Sequence, residues 1–241
     1  KQCFEYIGYY CTNQAADALI EDAYQSFLTL PEDFSADNME MIQNISAEAM
    51  EAAFCGRTTD HAYSRITNPT VQYFEDRIQA ITGAMSVTAL NSGMAAICNT
   101  LMAIGFSGAN IVTSPHLFGN TYSLMKTTLA AFGVEARFCD LTNPDEVRAN
   151  VDYNTCAVFV EVITNPQLEV VDLKLLSSIA REAKVPLIAD TTIVPFTVFH
   201  GKDFGIDIEI VSSTKYISGG ATSVGGLILD NGTFDWSRSF I

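Results

Sequence analysis

From Pro69 onward this chain alternates between two patterns that cannot belong to one kind of element. Short runs are apolar at nearly every position, as in Ala157 to Ile163, Val185 to Asp190 and Ile208 to Ser212. Between such runs, apolar residues recur at helical spacing, as Val71, Phe74, Ile78 and Ile81 do before the stop at Gly83. A strand with one wet face alternates apolar with polar residues, whereas one apolar throughout needs cover on both sides. The pattern therefore predicts an α/β fold, with a sheet covered on both faces by helices.

The expected order is regular. A helix over Thr70 to Thr82 precedes a strand at Ser86 to Leu90, a helix at Met94 to Ile104 and a strand at Asn110 to Thr113. A helix from about Asn120 to Phe132, stopped by Gly133, leads to a strand from Val134 to Phe138. Asn143-Pro144 opens the next helix, with Asn as cap and Pro in the first turn. The strand Ala157 to Ile163, a helix from Leu173 to Lys184 and the strand ending at Asp190 follow. Strands at Ile208 to Ser212 and Gly225 to Leu229 complete the series. Residues 1–62 read as an irregular segment with helices at Asn13 to Leu30 and Asn38 to Phe54, and residues 63–241 as the main domain.

Composition narrows the function classes. A formal charge of −15 without any Lys/Arg run argues against nucleic-acid binding. No apolar segment is long enough to span a bilayer, and Lys1 to Glu5 lack the start of a signal peptide. The six cysteines are scattered without a C-x-x-C pair and are expected to be reduced. Three well-separated histidines suggest no metal site. A cytoplasmic location is the expectation.

Two strand ends carry the chemistry. Ile210-Val211-Ser212-Ser213-Thr214-Lys215 places a lysine just after a buried run, and Val185-Pro186-Leu187-Ile188-Ala189-Asp190 ends in a lone carboxylate. A pyridoxal phosphate site needs this pair: an amine to form a Schiff base and an acid to keep the pyridine nitrogen protonated. Each residue alone has a plainer reading, Lys215 as a solvated loop residue and Asp190 as a helix cap.

Other stretches are similarly two-sided. Asn91-Ser92-Gly93-Met94 lets backbone N–H groups at a helix start approach a phosphate, or is an ordinary N-cap with a tight turn. Phe118 at a strand-to-helix junction could stack on a planar ring or belong to the core. Asn165, before Pro166, could donate a hydrogen bond to the cofactor's phenolic oxygen or start a turn. Tyr63 and Arg65 offer a hydroxyl and a guanidinium fork suited to a phosphate dianion, or a surface ion pair.

Taken in order, YSRITNPT, NSGMAAI, FGNTY, EVITNPQLEVVDL, ADTTIVPF and SSTKYISGG make the chain from Tyr63 to Trp236 resemble the Cys/Met-metabolism family of pyridoxal phosphate enzymes. The first sixty residues match it poorly. The resemblance implies a fold-type I, aminotransferase-like large domain with a mostly parallel sheet. It implies that Lys215 is catalytic and forms the Schiff base, and that Asp190 pairs with the pyridine nitrogen. Gly93, Met94, Ser212 and Thr214 would hold the phosphate, with Ser92 lining that turn, Phe118 stacking on the ring and Thr192 near it. Tyr63 and Arg65 would reach the phosphate of a neighbouring subunit, so a dimer sharing its active sites, paired into a tetramer, is expected.

This chain also departs from the family pattern. Phe118 stands where Tyr is usual, and Thr191 where Asn is usual. Gly219 to Gly226 replaces a common Gly-His, and with Asn231 to Trp236 looks most like the O-acetylhomoserine sulfhydrylase branch. That branch implies replacement of acetate by sulfide or a thiol to give homocysteine; methionine γ-lyase and the cystathionine enzymes are the family alternatives. A phosphate-ligand-binding partner protein without catalysis is the alternative of another class. The family's C-terminal small domain, whose arginine binds the substrate carboxylate, is expected to be absent from this chain.

Overall fold

The computed structural model describes residues 47–58 and 63–238. The chain divides into two compact units, Lys1–Thr67 and Asn68–Ile241. In the first, the described helix α1 (Ala47–Phe54) lies within the expected second helix; the expected helix Asn13 to Leu30 falls outside the described residues.

The second unit holds a seven-stranded sheet. In chain order its elements are α2 (Pro69–Thr82), β1 (Ser86–Leu90), α3 (Gly93–Ile104), β2 (Asn110–Thr113) and α4 (Gly119–Ser123). These are followed by β3 (Glu135–Phe138), α5 (Pro144–Asn150), β4 (Thr155–Glu161), α6 (Leu173–Ala183), β5 (Leu187–Asp190), β6 (Ile208–Val211) and β7 (Gly226–Asp230). The strand order is β1-β7-β6-β5-β4-β2-β3. Strands β3, β2, β4, β5 and β6 pair in parallel, and β7 runs antiparallel to both β6 and β1. The sheet is thus mixed, mostly parallel, as an α/β fold with crossover helices requires.

Helix ends follow from local chemistry. The Asn68 side chain accepts from the Thr70 and Val71 N–H groups, with Pro69 in the first turn, and Gly83 at φ 69 closes α2. Asn143 caps α5 in the same way, and Asp172 caps α6. The helix expected over 120–132 is present but not uniform: after α4 the chain tightens no further and instead widens into a π-helix over Leu124–Leu129. Spacing of apolar residues cannot distinguish that turn from an α-turn.

The core lies on both faces of the sheet. Along β4, Ala157 and Phe159 pack toward α3 and the Leu124–Leu129 turn, while Val158 and Val160 pack toward α5 and α6. Every residue of β4 is buried, which is why its sequence shows no alternation. Strand β4 ends at Glu161 rather than Ile163, which instead bridges Val170 beyond the sheet. A third cluster joins Ile78 and Phe74 of α2 to Leu227 and Leu229 of β7. Because β7 is antiparallel to its neighbours, the C-terminal ends of β1, β2, β4, β5 and β6 share one edge. In open α/β sheets that edge is where ligands bind.

Candidate active site

One cavity of about 850 Å³ opens at this edge. It is lined by Ser92, Gly93, Met94, Phe118, Asn165, Asp190, Thr192, Ser212, Thr214 and Lys215, so ten of the residues singled out from sequence converge there. Its size suits a cofactor together with a small substrate.

At one end, Ser92 caps α3, its Oγ accepting from the Ala95 N–H at 3.1 Å. The Gly93 and Met94 N–H groups precede the first intrahelical bond and are the helix's open donors. Gly93 is packed so tightly that a Cβ there would lie 2.8 Å from Ser212 Cβ. A Cβ on Gly226 would overlap the Ser92 carbonyl. The turn thus meets the end of β6 and the start of β7 without room for side chains.

The next wall comes from β5 and β6. The Thr192 N–H donates to Asp190 Oδ1 at 2.9 Å, and the Thr192 Oγ1 accepts from the Ser212 N–H at 2.8 Å. Thr214 Oγ1 donates to the Gly225 carbonyl at 3.2 Å and accepts from the Gly225 N–H at 3.0 Å. Lys215 follows, its N–H donating to the Ser212 carbonyl at 3.2 Å, with its side chain exposed at the cavity wall. Burial pushes the Asp190 carboxyl above the ordinary range, against the lowering effect of Thr192. Among the described residues Asp190 has no ion-pair partner.

The opposite wall carries a residue that the motif reading passed over. Glu161, 5% exposed, accepts from the Phe118 N–H at 2.6 Å through Oε1 and from the Asn165 N–H at 3.3 Å through Oε2. Burial, reinforced by the neighbouring Asp190, pushes its carboxyl up to about 7. The signal was available: like Asp190, Glu161 is a lone carboxylate ending a wholly apolar strand. Ile97, Ile163, Ile193, Tyr216, Gly219, Gly220 and Ala221 also line the cavity; all but Ala221 lie in the family-like stretches, but none has a side chain that marks it as a site residue in sequence. Tyr63 and Arg65 belong to the first unit, where the Arg65 guanidinium lies 5.4 Å from the Tyr63 ring centroid.

The residues present fit pyridoxal phosphate. A helix start with open donors and no Cβ at Gly93 suits a phosphate. A half-buried carboxyl facing the cavity without a cation suits a protonated ring nitrogen, and a lysine shares the same cavity.

The chain belongs to the Cys/Met metabolism PLP-dependent enzyme family, whose sequence profile matches residues 34–240. The match begins well before Tyr63, so the family pattern reaches further toward the N-terminus than the motifs alone indicated. The chain is 36% identical over 211 residues to O-acetyl-L-homoserine sulfhydrylase of Corynebacterium glutamicum, covering 84% of this chain and 48% of that protein. It is 38% identical over 186 residues to homocysteine synthase of Schizosaccharomyces pombe, covering 74% of this chain and 42% of the relative. The chain thus spans about half the length of these curated relatives.

Solved structures agree. The O-acetylhomoserine sulfhydrylase of Wolinella succinogenes superposes with a TM-score of 0.68 at 45% identity, covering 72% of this chain and 49% of that one. An O-acetylhomoserine (thiol)-lyase, so described as putative, from Campylobacter jejuni gives 0.73 at 31% identity, covering 78% and 46%; it carries N'-pyridoxyl-lysine-5'-monophosphate.

Proposed function

We propose that this chain is the cofactor-binding part of an O-acetylhomoserine sulfhydrylase, exchanging the acetate of O-acetyl-L-homoserine for sulfide or a thiol to form homocysteine in methionine biosynthesis. The observation that carries the proposal is that Lys215 and Asp190, from different strands, open on one cavity with the Ser92–Gly93 helix start. The names of the relatives support the substrate class.

Pyridoxal phosphate, when bound, supplies an electron sink for carbanions formed at the substrate's α-carbon. The remaining work falls to side chains. Lys215 Nζ would hold the cofactor and, as a free amine, would move protons at the α- and β-carbons of the substrate. Asp190 would stabilise a proton on the ring nitrogen, and its half-buried position in the cavity wall would strengthen that pairing because less water screens it. The Gly93 and Met94 N–H groups, with Ser212 and Thr214, would hold the phosphate; Thr214 would turn its proton from the Gly225 carbonyl to the phosphate while still accepting from the Gly225 N–H. Phe118 would cover one ring face, Asn165 would donate to the phenolic oxygen, and Thr192, on the same cavity wall as Asp190, would be near the ring.

Tyr63 and Arg65 are proposed to complete the phosphate site of a second copy, making the enzyme a homodimer or a tetramer of such dimers. A cytoplasmic location accords with this biosynthetic role; among the described residues no helix is long and apolar enough to cross a membrane.

The test is turnover by the intact protein of O-acetylhomoserine with sulfide, cysteine or methanethiol, alongside methionine cleavage. Sulfide-dependent homocysteine formation that is lost in Lys215→Ala is expected. Activity on methionine alone, or full activity in Lys215→Ala, overturns the proposal.

A further inference from the structure

Two loops bring Phe118 and Asn165 to the cavity, one after β2 and one after β4. No direct hydrogen bond between Phe118 and Asn165 joins them. Between them stands the end of β4, where Glu161 spends one oxygen on each loop: Oε1 accepts from Phe118 N–H and Oε2 from Asn165 N–H. On the same loops, His116 Nδ1 and Glu169 Oε2 pair at 2.9 Å, a second tie at a more exposed place. Glu161 and Asp190 are register partners on β4 and β5, so two carboxyls stand side by side in one cavity.

We infer that Glu161 is a positioning residue whose carboxylate clamps the Phe118 and Asn165 loops, setting the aim of the ring and the amide toward the cofactor. The clamp is coupled to the charge on Asp190. The ionised form offers both oxygens as full acceptors to two N–H donors; protonation weakens one of them, and an amide puts an NH2 donor against it. The ionisable groups sharing the cavity with Glu161 are Asp190 on β5, and Lys215 and Tyr216 after β6; His116 and Glu169 are occupied with each other. Burial disfavours ionisation of Glu161, and Asp190, without a counter-charge, adds to this. A protonated ring nitrogen beside Asp190 would relieve the repulsion, so cofactor binding would favour ionised Glu161 and strengthen the two bonds of the clamp.

The inference rests on the cofactor reading of the cavity, and the test separates the two. Pyridoxal phosphate is titrated into cofactor-free intact wild type, Glu161→Gln and Lys215→Ala, read by visible absorbance and by circular dichroism of the bound cofactor between about pH 6 and 8. Failure of wild type to bind refutes the cofactor reading itself. With wild type binding, Glu161→Gln is expected to bind about tenfold more weakly or worse, as for loss of a hydrogen bond to a charged group. Its induced dichroism should be diminished, and the ratio of the two affinities should grow with pH. Equal affinity, equal dichroism and a ratio independent of pH overturn the inference. Should the Gln variant not fold, hydrogen exchange at the Phe118 and Asn165 amides of wild type decides. Protection that rises on cofactor binding and with pH supports the clamp; protection that responds to neither refutes it.

Discussion

Gly226 opens β7 directly against the carbonyl of Ser92, so closely that a methyl group on Gly226 would overlap it and the Gly93 nitrogen. The contact fixes the start of α3 against the edge of the sheet. Gly226→Ala is therefore expected to cost about 1–3 kcal/mol, the range for overpacking, and to displace the Ser92–Gly93 turn. Urea unfolding of the cofactor-free protein measures the first effect. Pyridoxal phosphate titration measures the second, with weaker binding expected.

Thr192 links the ends of β5 and β6 through its hydroxyl, which accepts from Ser212 N–H. Thr192→Val keeps the shape but leaves that N–H without its partner, a loss of about 1–3 kcal/mol. Because Asp190 and Ser212 both hang on this link, cofactor affinity should fall along with stability. Unchanged affinity in a folded variant would show that the link is purely structural.

Burial raises the Asp190 carboxyl above its ordinary 3.8, so the folded cofactor-free protein holds this proton more tightly than the unfolded chain does. Stability from such a group is fully present below the unfolded value and is lost as pH rises through the folded one. Asp190→Asn removes the penalty while retaining an oxygen for the Thr192 N–H. The cofactor-free variant should thus melt above wild type near neutral pH, and the difference should shrink toward pH 4. With cofactor and substrate the order reverses: activity should drop about a hundredfold or more, as for loss of one preorganised electrostatic partner.

Phe159 is fully buried in the middle of β4. Phe159→Ala should cost about 3–5 kcal/mol, visible as a large fall in the unfolding midpoint. The same chemical change at exposed Phe132 should cost far less.

Accessibility divides the cysteines. Burial pushes the Cys139 and Cys156 thiols up to about 11, whereas Cys55 is exposed. Iodoacetamide at neutral pH should label Cys55 and spare Cys139 and Cys156 until denaturant is added, as peptide mass spectrometry can follow.

Much of the fold was legible because its signals are local. Asn68, Asn143 and Asp172 cap helices through their own side chains, and apolar strands announce burial on both faces whatever lies beyond them. The Leu124–Leu129 turn was not legible, since α and π hydrogen bonding place apolar residues at nearly the same spacing. Asp190 and Glu161 make the contrast within the site. Both end an apolar strand, but only Asp190 stood in a stretch whose chemistry suggested a partner. What marks Glu161 is its pair of N–H donors, supplied by Phe118, forty-three residues away, and by Asn165.

Sequence alone determined which segments are helix and which strand, the family and the order in which the Ser92–Gly93 turn, Asp190 and Lys215 occur, because propensity, capping and covalent chemistry are properties of short segments. Only tertiary structure decided that these segments share one cavity. That depends on β7 running antiparallel between β1 and β6, which sets Ser92 against Gly226 and Gly93 against Ser212, and on the register that places Glu161 beside Asp190. Strand order and register are settled by packing both faces of the sheet at once, and no single stretch of chain contains that information.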